Sequence, residues 1–115
     1  MNSAEETILR QSEAKFRALA EASPAAIFIA QHGSISYANP ALAALTEYTR
    51  GELIGLDPIR LLHPSERGRE LDPRREVRLH TRSGHERWID LAVAPIVYDG
   101  GAAVVGTGID ITDRK

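Results

Sequence analysis

The chain has 115 residues, 43% hydrophobic and 26% charged, which suits one globular domain with a modest core and leaves little room for a second. A formal net charge of -2 provides no basic field to draw it onto DNA, RNA or anionic lipid, so neither direct nucleic-acid binding nor membrane binding is expected. With no cysteine, disulfides, thiolate catalysis, cysteine-ligated zinc and cysteinyl-flavin photochemistry are all excluded.

Residues 1–10 carry Glu5 and Glu6 where a signal peptide would carry basic residues, and no apolar run approaches the roughly 20 residues that span a bilayer. A cytoplasmic protein is expected. Residues 3–21 predict a helix. Ser3 and Glu6 have the spacing of a capping box, and Ile8, Leu9, Phe16, Leu19 and Ala20 fall on one broad face. Ser23-Pro24 stops it. Because the helix precedes every strand, its apolar stripe must lie on the sheet, on a second copy of the chain, or on both.

Residues 25–31 and 35–38 predict a hairpin around His32-Gly33-Ser34. Asn39-Pro40 then opens a short helix, with Asn39 as N-cap, Pro40 at the first helical position, and Leu42 and Leu45 facing inward. Thr49 and Glu52 form a second capping box, opening one turn through Leu53 and Ile54 that Gly55 closes with a positive φ. Asp57-Pro58 starts a further turn carrying Ile59, Leu61 and Leu62, and His63-Pro64 and Asp72-Pro73 punctuate a polar loop.

Three strands are predicted to follow. Residues 76–82 alternate, with Val77, Leu79 and Thr81 on one face, and Ser83-Gly84 turns the chain. Residues 87–97 place Ile89, Leu91 and Val93 on one side and Trp88, Ala92, Ala94 and Ile96 on the other. Asp99-Gly100-Gly101 is a strong hairpin turn, and residues 102–111 return. The last strands are apolar on both faces, so both faces are expected to be covered, one by the short helices and the other by the N-terminal helix or a partner molecule.

The residues that carry chemistry are sparse. His80 and His85 flank one hairpin loop and make an incomplete metal site, so they read as exposed hairpin residues. His63 before Pro64 reads as structural, and His32 lies in a turn. Asp90, Asp99, Asp110 and Asp113 are held apart by strands and turns, with no carboxylate pair in view for acid–base work. The glycines lack the lysine and the strand-to-helix setting of a phosphate loop. Arginines 67, 69, 74, 75, 78, 82 and 87 alternate with Glu66, Glu70, Glu76 and Glu86, which reads as a solvated strand face.

Set on this element order, six stretches resemble the PAS family. They are Ser12-Glu13-Ala14-Lys15-Phe16-Arg17 in the leading helix, Ile35-Ser36-Tyr37-Ala38-Asn39-Pro40-Ala41 at the second strand, and Tyr48-Thr49-Arg50-Gly51-Glu52-Leu53-Ile54-Gly55, where Glu47 replaces the usual first glycine. The others are His63-Pro64, Arg82-Ser83-Gly84-His85-Glu86-Arg87-Trp88, and the terminal Gly108-Ile109-Asp110-Ile111-Thr112-Asp113-Arg114-Lys115. Each motif alone is weak; six in order are specific. The departure is the stretch between Pro64 and Trp88, too short for the family's long helix before the third strand. That helix walls the ligand pocket and carries the haem-binding histidine in haem sensors.

The resemblance implies an α+β fold: a PAS-like five-stranded antiparallel sheet with short helices on one face and an N-terminal amphipathic helix. It implies a flanking helix over residues 1–22, the PAS domain over 23–112 and the start of an output linker at 113–115. The implied role is a sensor that dimerises and relays a change to an effector (kinase, cyclase or transcription regulator) in the same or a partner chain, and is not an enzyme. Candidate pocket residues are Ile29, Leu42, Leu45, Leu53, Leu61, Leu79, Trp88, Val93 and Val105, which as plain core would look the same in sequence. Asp110, pairing with a basic group, and Thr112, capping a following helix, are candidates for coupling to output. Ile8, Leu9, Phe16 and Leu19 are candidates for the dimer face. Neither haem nor cysteinyl-flavin is expected, and a colourless homodimer is. Two other readings stay open: a ligand-free dimerisation scaffold of a larger signalling protein, and a small cone-shaped α+β enzyme with Asp90 and Asp110 turned into a polar cavity.

Overall fold

In the computed structural model, residues 3–67 and 73–115 are described; the side chains of Ile8 and Leu9, and the Ser3–Glu6 capping pair, lie outside the described set. Helix α1 (Ser3–Ala22) leads into β1 (Ala26–Gln31) and β2 (Ser34–Ala38). Helices α2 (Pro40–Thr46) and α3 (Arg50–Leu53) follow, then 3-10 turns at Pro58–Leu61 and Pro64–Glu66. Strands β3 (Arg74–His80), β4 (Glu86–Tyr98) and β5 (Gly101–Asp110) and a last 3-10 turn at Thr112–Arg114 complete the chain. The five strands form one antiparallel sheet in the order β2-β1-β5-β4-β3, so the first strand pairs with the last.

Local chemistry explains the turns. At two of the three hairpin tips two successive residues take positive φ, His32 and Gly33 (56° and 77°) and Asp99 and Gly100 (53° and 77°). This is the two-residue turn whose twist matches that of the strands, and Gly and Asp tolerate it best. Asn39 and Thr49 cap their helices as expected, Thr49 with the full capping box, and Gly55 sits at φ 89°. β3 begins and ends two residues earlier than predicted. The reason is local: the Thr81 N–H donates to the His85 carbonyl (2.8 Å) and the His85 N–H to the Thr81 hydroxyl (3.0 Å), drawing residues 81–85 into the loop.

A register shift between Ile29 and Ala30 bulges the β1–β2 ladder. Its consequence is that Ile35 packs on one face of the sheet and Tyr37 on the other. The inner face buries Ala26, Ile35, Val77, Leu79 and Ile89 against Leu42, Leu53, Leu61 and Leu62 of the short helices. On the outer face α1 lays Phe16 and Ala20 over Ile29, Tyr37, Tyr98 and Ala103. Leu19 points away from the sheet, 76% exposed.

One expectation is met in part and another changes. The chain's own helix covers only part of the outer face: Ala94 is exposed, and Ile109 is 54% exposed. The arginine-glutamate stretch is not simply a solvated face, because Glu66 is buried in an ion pair with Arg75 (2.5 Å), the 3-10 turn being folded back across β3. Only residues 67–73 separate that turn from β3, fewer than two helical turns, so the long helix has no room.

Candidate functional site

The site is built around the side chains that β5 omits. Phe28 pairs with Gly106 across the β1–β5 ladder, and a Cβ on Gly106 would stand 2.3 Å from the Phe28 ring. A Cβ on Gly108 would meet Ile89 Cγ2 at 2.8 Å. Two glycines on the same face of one strand therefore let the Phe28 ring and Ile89 lie across it.

Between this surface and the short helices is a cavity of about 400 Å³, within the roughly 300–1,000 Å³ span of small-molecule sites. The sheet contributes Phe28, Ala30, Leu79, Ile89, Leu91 and Val93. The opposite wall is Leu42, Leu45, Pro58, Ile59, Leu61 and Leu62. Asp57 lines it as well and is exposed, as are Ile59 and Val104 at the open side.

Of the nine candidate pocket residues, the structure gathers Leu42, Leu45, Leu61, Leu79 and Val93 around the cavity. Leu53 is fully buried in the inner core without reaching it. Ile29 and Val105 are corrections: they pack on the outer face beneath α1, because the inward positions are Ala26, Phe28 and Ala30 on β1 and Val104 and Gly108 on β5. Trp88 is a third. It is one residue out of phase with Ile89, half-buried on the opposite face, with the Arg78 guanidinium 5.6 Å and the Lys115 ammonium 4.7 Å from its ring centroid. Phe28 was missed. The spacing of Gly106 and Gly108 was its signal, since two glycines one apart on a strand mark the face where a neighbour's large side chain must fit.

Asn39 joins the cavity wall to α1. Fully buried, it accepts from the Ile27 N–H (2.9 Å) and the Leu42 N–H (3.0 Å), and its amide donates to the carbonyls of Ala20 and Ala25 (2.9 Å each). Beside it, Arg50 of α3 grips Glu21 of α1 with two nitrogens (2.9 and 2.7 Å) and donates to the Ala38 carbonyl (2.8 Å). The Tyr37 hydroxyl donates to the same Glu21 carboxylate (2.5 Å). Burial, and then that hydrogen bond, push the Tyr37 phenol up to about 12, while the bonds from Tyr37 and Arg50 hold Glu21 below the usual carboxylate range. Further along, Arg17 donates to the Tyr98 hydroxyl (2.9 Å) and the Asp99 N–H to Glu13 (2.8 Å), so the second half of α1 is pinned at both ends.

At the other end of the sheet Asp110 pairs with Arg87 (3.3 Å), as expected of a basic partner. Burial raises the Asp110 pKa, but hydrogen bonds from Thr112 and the Arg87 charge outweigh it and leave the group lowered. Thr112 opens the last 3-10 turn rather than capping it. Its hydroxyl donates to Asp110 (2.5 Å) and accepts from the Trp88 N–H (2.9 Å), because the 3-10 turn begins at Thr112 itself and takes no side-chain cap. Asp90 pairs with Arg74 (2.7 Å), and neither Asp90 nor Asp110 lines the cavity. The His80 ring lies 6.0 Å from that of His63, and the His85 Nδ1 is 2.8 Å from the Ser83 hydroxyl. Among the described residues no group of three His, Cys, Asp or Glu side chains could hold a metal ion.

The PAS-fold family profile matches residues 14–111. The chain belongs to the PAS family, whose domains are generally sensory modules. Its fold is similar to the PAS domain of an HTR-like protein from Haloarcula marismortui, at 21% identity and TM-score 0.69 over 96% of this chain and 100% of that one. A PAS domain of a protein from Colwellia psychrerythraea is similar at 24% identity and TM-score 0.70, over 89% and 99%. That of nitrogen regulation protein NR(II) from Vibrio parahaemolyticus is similar at 20% and 0.65, over 82% and 95%. No curated protein sequence matches the chain.

Proposed function

We propose that this PAS domain is a cytoplasmic sensor that works as a homodimer and relays occupancy of its cavity to an effector, a kinase, cyclase or transcription regulator in the same or a partner chain. The observation that carries the reading is the shared wiring of cavity and helix: α2 and α3, which pack beside the cavity, hold α1 through Asn39, Arg50 and Glu21. A ligand that moves Leu42 or Leu45 acts on those contacts. Two packings of α1 separated by a few kcal/mol would be enough to switch. Asp110 and Thr112 offer a second exit, tying the end of β5 to Arg87 and Trp88.

Homodimerisation has its support in the uncovered apolar groups: Leu19 on the free side of α1, with Ala94 and Ile109 on the open part of the outer face. Phe16 packs edge-on against Tyr37, 6.2 Å between centroids, and places α1 so that Leu19 looks outward. The likeness to the PAS domain of nitrogen regulation protein NR(II) supports a regulatory setting. Against the small-enzyme reading, the cavity lining has no converging pair of acid–base groups among the described residues. No described helix is long and apolar enough to cross a membrane.

Native mass spectrometry of the purified chain tests both halves together. The expected result is a dimer carrying a small-molecule mass; a bare dimer would favour the ligand-free scaffold, and a bare monomer would remove both readings.

A further inference from the structure

We infer that the cavity takes a compact apolar molecule with a neutral or cationic head, such as an alcohol or an amine, and rejects carboxylates and phosphates. This rests on reading the cavity as a ligand site. Phe28, Leu45, Leu79, Ile89 and Leu91 present only carbon to it, and among the described residues the lining contains no arginine, lysine or histidine. An anion entering would lose hydration with no partner to replace it. Among the described residues the lining has no asparagine, glutamine, serine, threonine or tyrosine either. A heteroaromatic ring with several polar edge atoms would leave them unpaired, whereas a hydrocarbon body leaves nothing unsatisfied.

Among the described residues Asp57 is the one charged residue of the lining. It is exposed, and its carboxylate accepts the Ile59 N–H at 3.1 Å as the cap of the 3-10 turn, which fixes its position. Arg67 turns its guanidinium to the carbonyls of Leu62 (3.2 Å) and Arg60 (3.3 Å), while Arg50 is held by Glu21 and Arg82 by Glu52. Arg60, next to Ile59 and exposed, is outside the lining. A ligand with its body among the leucines and its head at the rim therefore meets negative charge.

Three probes with one body separate the possibilities: 4-phenylbutan-1-ol, 4-phenylbutylamine and 4-phenylbutyrate. Each is titrated into the full chain while the methyl NMR signals of Leu45, Leu79, Ile89, Leu91 and Val93 are followed. The alcohol and the amine are expected to shift these methyls, the amine about threefold more tightly, the scale of one exposed ion pair. The butyrate is expected to bind at least about threefold more weakly than the alcohol, repelled by the same charge. Asp57→Asn, which keeps the cap, should erase the difference between amine and alcohol. Equal affinity for all three, or an amine preference that survives Asp57→Asn, overturns the head-group preference while leaving the ligand-site reading standing. If no probe moves a cavity methyl, the ligand-site reading itself fails.

Discussion

Asn39 and Glu47 carry more of the architecture than their size suggests. Asn39 makes four hydrogen bonds with no exposure to water, so removing its amide orphans backbone groups of α1, β1 and α2 together. Asn39→Ala should cost about 2–4 kcal/mol, a lost cap plus unsatisfied buried groups, read from urea unfolding midpoints at constant m-value. Glu47 stands where the family resemblance places glycine, and its φ of 68° shows why glycine is usual: it is the left-handed C-cap of α2. The glutamate has a compensating contact. Its carboxylate accepts from the Ser83 hydroxyl and, at 3.1 Å, from the Ser83 N–H, tying α2 to the β3–β4 loop. Those bonds, the Ser83 hydroxyl foremost, lower its pKa from 4.5 to about 2. A carboxylate depressed in the fold stabilises it fully above the unfolded value and loses that contribution as pH falls through the folded one. Thermal stability should thus fall as pH drops from about 4.5 to 2, and Glu47→Gln should flatten that part of the melting-temperature curve. A curve unchanged by the substitution would contradict the assignment.

At the scale of elements, the placement of α1 and the inward face of β5 decide the site. The Arg50–Glu21 contact is half-exposed, so breaking it changes global stability by no more than about 1 kcal/mol. Its effect should be local: Arg50→Ala is expected to raise amide exchange in residues 13–22 while β4 and β5 keep their protection, measured by hydrogen-exchange mass spectrometry. Gly106 tests the other wall. Gly106→Ala drives a methyl into the Phe28 ring and should cost about 1–3 kcal/mol as the ring swings into the cavity, visible as upfield shifts of the Leu79 and Leu91 methyls. The pattern of elements was legible in the sequence because caps, hairpin turns and short apolar runs are local signals. Asn39-Pro40, Thr49 through Glu52 and Asp99-Gly100 each declared their turn. Strand phase was not equally legible. β1 and β5 are apolar on both sides, so alternation does not say which side is inward, and Ile29 and Val105 were placed on the wrong one. β4 carried its own answer, since Ile89, Leu91 and Val93 face the cavity as their spacing predicts. Trp88 contradicted that same phase.

For the whole molecule, the short link between Glu66 and Arg74 sets the character of the domain. It leaves no length for a long wall helix, yet an apolar cavity remains, walled by α2 and the Pro58–Leu61 turn, while the buried Glu66–Arg75 pair ties the next turn to β3. The missing helix is legible in the sequence, but the turn's fold back onto β3 is not, because the ion pair that makes it joins residues that read as solvated charge. The partial cover of the outer face follows from the same economy of length: α1 is pinned from Glu13 to Glu21, and Leu19 and Ile109 stay open to water. The central claim is that the cavity and α1 are coupled. Hydrogen exchange of residues 13–22, recorded with and without saturating 4-phenylbutan-1-ol, tests it most directly. A several-fold change in exchange along α1 is the result the coupling predicts; α1 amides that do not respond while the cavity methyls do would contradict it.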